Sequence, residues 1–135
     1  MAHMKSMTAW VLDVGPSMSQ NLDPMKGNDD SKITTAITYM SSHIAQRMIA
    51  SKTQEFCLIS YGDDITHNFL NESQGGGYDR VNEIVSMKKC SGDTLNLIRS
   101  VKVGEIVGDA IDGIVVGLDV LVRINQRYAF NRIMV

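Results

Sequence analysis

Apolar positions in this chain fall into two patterns, short unbroken runs and helical repeats, and the two alternate. Thr8-Ala9-Trp10-Val11-Leu12 is almost continuously apolar and ends on Asp13, the pattern of a central parallel strand buried on both faces with a polar residue at its carboxyl end. Gly15-Pro16-Ser17 breaks the run, and the polar stretch from Ser19 to Asp30, with Pro24 and Gly27, predicts a loop leading into a helix. Ser31 stands where an N-cap belongs, Asp29 and Asp30 suit the positive end of the helix dipole, and Ile33, Ile37, Met40, Ile44 and Met48 recur at spacings of three and four. Phe56-Cys57-Leu58-Ile59-Ser60-Tyr61 predicts a second buried strand closed by Gly62-Asp63-Asp64, so strand, helix and strand make a βαβ unit.

From His67 to Asp79 the chain is polar and holds Gly75-Gly76-Gly77, which predicts a mobile surface loop. Val81 to Met87 has mixed polarity through Asn82, Glu83 and Ser86, as an edge strand would. Ser91-Gly92-Asp93 opens a short helix to about Val101, and after Gly104 a longer helix begins near Gly108, with Val107, Ile111, Ile114, Leu118 and Leu121 as its expected buried stripe. Gly113 and Gly117 inside it read as points of close approach to a neighbouring element. Phe130 and Ile133-Met134-Val135 begin a further strand, within which the sequence stops. The order β-α-β-β-α-α-β predicts an α/β fold: a doubly wound, mostly parallel, Rossmann-like sheet with one antiparallel edge strand, in a domain expected to be incomplete. Met1-Ala2-His3-Met4 reads as an expression remnant, so residues 1–6 are expected to be a disordered N-terminus and 7–135 the folded part.

Composition narrows the function classes. With 44% hydrophobic and 21% charged residues the chain can bury a core, and a net charge of −2 gives no general attraction to phosphate backbones. Cys57 and Cys90 have no C-x-x-C spacing, which points to free thiols in a reducing compartment. No apolar stretch approaches the roughly 18 residues of a membrane span. His43 and His67 are isolated and read as surface or loop histidines, and Asn71-Glu72-Ser73 matches a glycosylation pattern that a protein of a reducing compartment does not meet. Asp63, Asp64, Asp109 and Asp112 read as solvated loop and helix N-terminal acids, so no catalytic residue is assigned. Gly108-Asp109-Ala110-Ile111-Asp112-Gly113 has phosphate-loop spacing but continues with Ile114-Val115 instead of Lys and a hydroxyl residue.

Sites in open α/β sheets lie beyond the carboxyl ends of the strands, which singles out Asp13-Val14-Gly15-Pro16-Ser17-Met18-Ser19. This turn resembles the D-x-S-x-S turn of von Willebrand factor A domains, where a carboxylate and two hydroxyls join a distant Thr and a later Asp around a divalent cation. Asp13 and Ser17 match, but Gly15 has no side-chain oxygen and Lys102 to Ala110 contains neither Thr nor Ser. The family's second Asp would fall beyond Val135. The expectation is therefore no metal and no cofactor, with Asp13 and Ser17 as remnants: Asp13 accepting loop hydrogen bonds, Ser17 capping a backbone amide.

A more specific resemblance, over about Met7 to Val135, is to the large subunit of the Ku heterodimer, and to a fungal member. It rests on Val11 to Ser19, on Phe56 to Gly62 with its Tyr-Gly ending, and on Gly108 to Val120. The resemblance implies a non-catalytic protein-interaction domain, with a degenerate metal site, in a nuclear complex that joins double-strand breaks and maintains telomeres at chromosome ends. Implied partners are the Ku small subunit and short peptide segments of repair or telomeric-silencing proteins, with DNA ends and telomerase RNA reached through the full heterodimer and no membrane. The family is sometimes labelled an ATP-dependent helicase. Alternative readings are a metal-dependent A-type adhesion domain, another intracellular A-type scaffold, and, third, an ATPase.

Overall fold

The computed structural model describes residues 5–23, 25, 28–50, 53–124 and 129–135. Strand β1 (Lys5–Asp13) is followed by a 3-10 turn at Pro16–Ser19, a short ribbon of β2 (Asn21–Asp23) and β3 (Asn28–Ser31), and helix α1 (Lys32–Ala50). Then come β4 (Gln54–Tyr61), α2 (Phe69–Gln74), β5 (Val81–Lys89), α3 (Gly92–Arg99), α4 (Ala110–Arg123) and β6 (Ala129–Met134). The main sheet has the order β5-β4-β1-β6, with β4 and β6 parallel to β1 and β5 antiparallel to β4. This is the α/β sheet with one antiparallel edge strand expected from the sequence. β1 begins at Lys5, ahead of the expected start at Met7, and residues 1–4 lie outside the described residues.

Alternation along the strands divides the core in two, because successive side chains leave opposite faces of a sheet. Met7, Ala9, Cys57, Ile59 and Val81 meet Val116, Val120 and Leu121 of α4 on one face. Trp10, Phe56, Leu58 and Val85 meet Met40 and Ile44 of α1 and Ile98 of α3 on the other. Each fully buried Val, Leu, Ile, Phe or Met side chain among them contributes about 1.5–3 kcal/mol over leaving it exposed. Burial also pushes the Cys57 thiol up to about 12, with the charge of Glu83 adding to it, so this sulfur is held as a neutral core atom.

The expected cap at Ser31 forms, its Oγ accepting from Thr34 N at 3.2 Å at the start of α1, and at the start of α3 Ser91 and Thr94 make a reciprocal capping box. Three readings need correction. The polar stretch from Ser19 to Asp30 is not all loop: β2 and β3 pair within it, and Lys32 N donates to Gln20 O at 2.9 Å to close the ribbon; Pro24 and Gly27 lie outside the described residues. The segment from His67 to Asp79 is not a mobile loop, since it contains α2 anchored by Asn68. That side chain is 1% exposed, accepts from Asn71 N at 2.9 Å, and donates to Tyr78 O at 3.1 Å and Val81 O at 2.9 Å.

The third correction concerns α4. Its buried residues are Gly113, Val116, Gly117, Val120 and Leu121, while Val107, Ile111 and Leu118 of the expected stripe are exposed. The two glycines explain the phase. A Cβ on Gly113 would stand 2.9 Å from Tyr61 Cδ1 and 3.0 Å from Val11 Cγ1, and one on Gly117 would stand 3.2 Å from both Ile133 Cδ1 and Val11 Cγ2. The glycine side of the helix is therefore pressed onto β1 and β4, as the close-approach reading of Gly113 and Gly117 requires, and the bulky stripe is turned outward by about one residue, roughly 100°.

Candidate functional site

The carboxyl ends of β1 and β4 place two turns beside the segment that leads into α4. Val14 N donates to Tyr61 O at 2.9 Å, and Gly104 N donates to Val14 O at 2.7 Å, so the three segments share backbone hydrogen bonds. Asp13 sits in this angle, and its Oδ1 accepts from Gly15 N at 2.8 Å, as the loop-accepting reading predicts. Burial and then the Asp13 charge raise the Tyr61 hydroxyl above its usual range. Among the described residues Ser17 does not cap an amide with its side chain: it is exposed, its carbonyl accepts from Gln20 N at 3.2 Å, and the hydroxyl that closes the turn is that of Ser19, donating to Pro16 O at 2.8 Å.

The other acids are also engaged by the backbone. Asp63 accepts from Ile65 N at 3.0 Å through one oxygen and from Ser60 Oγ at 2.7 Å and Asn82 Nδ2 at 3.3 Å through the other. Asp64 Oδ1 accepts from Glu105 N at 3.0 Å and faces Arg80 at 3.7 Å. Asp109 caps α4, accepting from Ile111 N at 2.8 Å and Asp112 N at 3.4 Å. Burial, followed by the charges of Asp109 and Asp79, raises the Asp112 carboxyl. Asp63, Asp64 and Asp109 thus organise loops and one helix start; Asp64 and Asp109 are exposed, as read from the sequence, whereas Asp63 and Asp112 are half-buried.

A hard divalent cation wants several oxygens converging in near-octahedral geometry. The donors here do not fit it: Asp13 is turned to Gly15 N, Gly15 offers no side-chain oxygen, Ser17 is exposed, and residues 102–110 contain no hydroxyl side chain. Among the described residues no three His, Cys, Asp or Glu side chains group in a way that could hold a metal. The phosphate-loop spacing at Gly108 and Gly113 dissolves in three dimensions too, since Gly108 lies against Gly62 while Gly113 is buried against Tyr61 and Val11.

Features the sequence reading missed cluster on α4. Its outward side exposes Ile111 and Val122 at 70% and 74%, flanked by Leu118, Ile106, Val107 and, on α2, Phe69. Arg123 binds Asp119 at 2.7 Å and lies over the Phe69 ring at 4.1 Å from its centroid. His67 is exposed and faces Glu72 at 3.7 Å, whereas His43, read as a surface or loop residue, is partly buried in α1 against Trp10 at 5.3 Å. Burial and the nearby Arg47 and Arg132 hold His43 below its usual pKa.

No family model matches the chain. Among characterised proteins, "X-ray repair cross-complementing protein 5" of Dictyostelium discoideum is 25% identical over 129 residues, 96% of this chain. "ATP-dependent DNA helicase 2 subunit KU80" of Oryza sativa subsp. japonica is 29% identical over 91% of it, and "ATP-dependent DNA helicase II subunit 2" of Chaetomium globosum is 26% identical over 95%. The chain spans 16–17% of the length of these relatives. In fold it matches the SpRpn10 VWA domain with a TM-score of 0.63 at 13% identity, covering 96% of this chain and 57% of that one. It also matches the PilB minor pilin of Streptococcus sanguinis with a TM-score of 0.68 at 13% identity, covering 98% of this chain and 30% of the pilin. Sequence and fold thus agree: the chain is similar in sequence to three Ku large subunits over 91–96% of its length and has a von Willebrand A-type fold.

Proposed function

We propose that this chain is a non-catalytic protein-interaction region of a Ku-type, DNA-end-binding heterodimer, acting in the nucleus in non-homologous end joining and telomere maintenance. The observation that carries this reading is the likeness to three Ku large subunits over 91–96% of the chain. Its partners are then the Ku small subunit and short peptide segments of repair or telomeric-silencing proteins. DNA ends and telomerase RNA are contacted by the whole heterodimer, for which the net charge of −2 makes this region a peripheral element.

The chemistry of the loops supports a non-catalytic role. Asp13, Asp63, Asp64 and Asp109 each accept backbone amide hydrogen bonds, and Asp13 and Ser17 remain as remnants of a cation site. A docking role instead needs exposed apolar surface, and the outward side of α4 supplies it through Ile111, Leu118 and Val122. The test uses the full-length heterodimer with this region removed from the large subunit, compared with the intact complex for DNA-end affinity and for end joining in cells. Retained end affinity with lost joining is expected. Loss of end binding itself, or joining that proceeds unchanged, would refute the assignment.

A further inference from the structure

Above the carboxyl end of the sheet the backbones of three segments touch without side chains between them. The turn after β1 contributes Gly15, the turn after β4 contributes Gly62, and the segment between α3 and α4 contributes Gly104 and Gly108. A Cβ built on Gly104 would lie 2.1 Å from Gly62 O, and one on Gly108 would lie 2.0 Å from Gly62 N. Gly62 itself has φ +79°, and a Cβ there would stand 3.0 Å from Gly15 N and Cα. Non-bonded carbon contacts settle at about 3.5–4.0 Å, and the atoms in the way belong to backbone, which cannot swing aside as a side-chain tip can. Even alanine is therefore excluded at Gly104 and Gly108. The hydrogen bonds from Val14 to Tyr61, Gly104 to Val14 and Glu105 to Asp64 fasten the same three segments.

We propose that these four glycines form a clasp of backbone atoms that ties the loops at the head of the sheet into one rigid platform without a metal ion. The inference stands on the backbone contacts and does not depend on the Ku assignment. A bound cation can be withdrawn or re-coordinated, whereas a clasp of backbone atoms has one arrangement.

The test is thermal unfolding of this chain in EDTA and in millimolar magnesium, calcium or manganese, for the unaltered protein and for Gly108→Ala, Gly104→Ala and Gly92→Ala. The unaltered protein should unfold at one temperature in all solutions, and Gly108→Ala and Gly104→Ala should each lower Tm by about 5 °C or more. Gly92→Ala is the control, because nothing lies within 4 Å of a Cβ there, and its Tm should stay close to the original. Should the clasp variants not fold, Asp64→Ala decides: it removes the acceptor for Glu105 N from an exposed position, and amide exchange at Gly104 and Glu105 should quicken by about tenfold while β1 and β4 stay protected. Any of three results would overturn the clasp: a Tm that rises with a divalent cation and loses that rise in Asp13→Ala, Gly108→Ala unfolding with the unaltered protein, or unchanged exchange in Asp64→Ala.

Discussion

The phase of α4 on the sheet can be tested with two truncations of one helix. Val120 is 0% exposed in the cluster with Met7, Cys57 and Ile59, whereas Ile111 is 70% exposed. Val120→Ala removes two methyl groups from the core, about 1.6 kcal/mol of transfer energy at roughly 0.8 per carbon, and the void left behind raises this to about 2–3 kcal/mol. The better helix propensity of alanine returns a few tenths of a kcal/mol. A net loss of about 2 kcal/mol corresponds to a fall in Tm of roughly 5–10 °C in a domain of this size. Ile111→Ala removes more carbon, yet from the solvent side, and should shift stability by no more than about 0.5 kcal/mol. Urea unfolding followed by far-ultraviolet circular dichroism measures both, and an unchanged m-value certifies that the native and denatured states are otherwise comparable. If Ile111→Ala proves the costlier change, or the two cost the same, the glycine-seated helix is wrong and the stripe through Ile111, Ile114 and Leu118 faces the sheet.

Two further outcomes follow from buried polar groups. Asn68→Ala removes the cap of α2 and strips donors from the carbonyls of Tyr78 and Val81, so it should cost about 2–4 kcal/mol and open residues 69–80 to limited proteolysis; unaltered stability and cleavage would restore the loop reading. Glu83 has its carboxyl pKa raised, chiefly by burial, against the opposing pull of Arg123 and His67. Between the unfolded value and the raised native one, the folded chain holds more protons than the unfolded chain, so this residue's contribution to stability is lost as pH rises through that window. Glu83→Gln removes the loss, and its stability advantage over the unaltered protein should grow with pH from 4.5 upward and then level off; an advantage that shrinks with rising pH would contradict the sign.

How much was legible in the sequence depended on whether neighbours along the chain or distant segments set each feature. β1, α1 and β4 announce themselves through local pattern, since an unbroken apolar run or a repeat at three and four needs only its own residues to be read. Helix α4 defeats that approach because it is apolar on nearly every side, so hydropathy fixes that it is a helix and leaves its rotation open. The rotation is set by Gly113 and Gly117, and assigning them to close approach already implied a buried face incompatible with a stripe through Ile111 and Leu118. Helix α2 was hidden by its length and by the glycines after it, although Asn68 ahead of Phe69 was a usable cap signal. At the head of the sheet, the mismatch at Gly15 and the missing hydroxyl before α4 could be read directly from sequence. What filled that space could not, because Gly15, Gly62, Gly104 and Gly108 become neighbours only when three segments far apart in the chain meet.

The parallel pairing of β1 with β6 sets an order of events during synthesis. Lys5 lies opposite Ala129 and Trp10 opposite Met134, so β1, made well before β6, has as one of its two neighbours the last strand described here. Its other neighbour, β4, is available much earlier, and α1 can settle on that pair at once. Until residues 129–134 arrive, one edge of β1 stays open with its amides and carbonyls unmatched, a state that invites pairing with other nascent chains. Slow translation after α4 would lengthen that exposure, and the yield of soluble protein should depend on how quickly residues 129–134 follow α4.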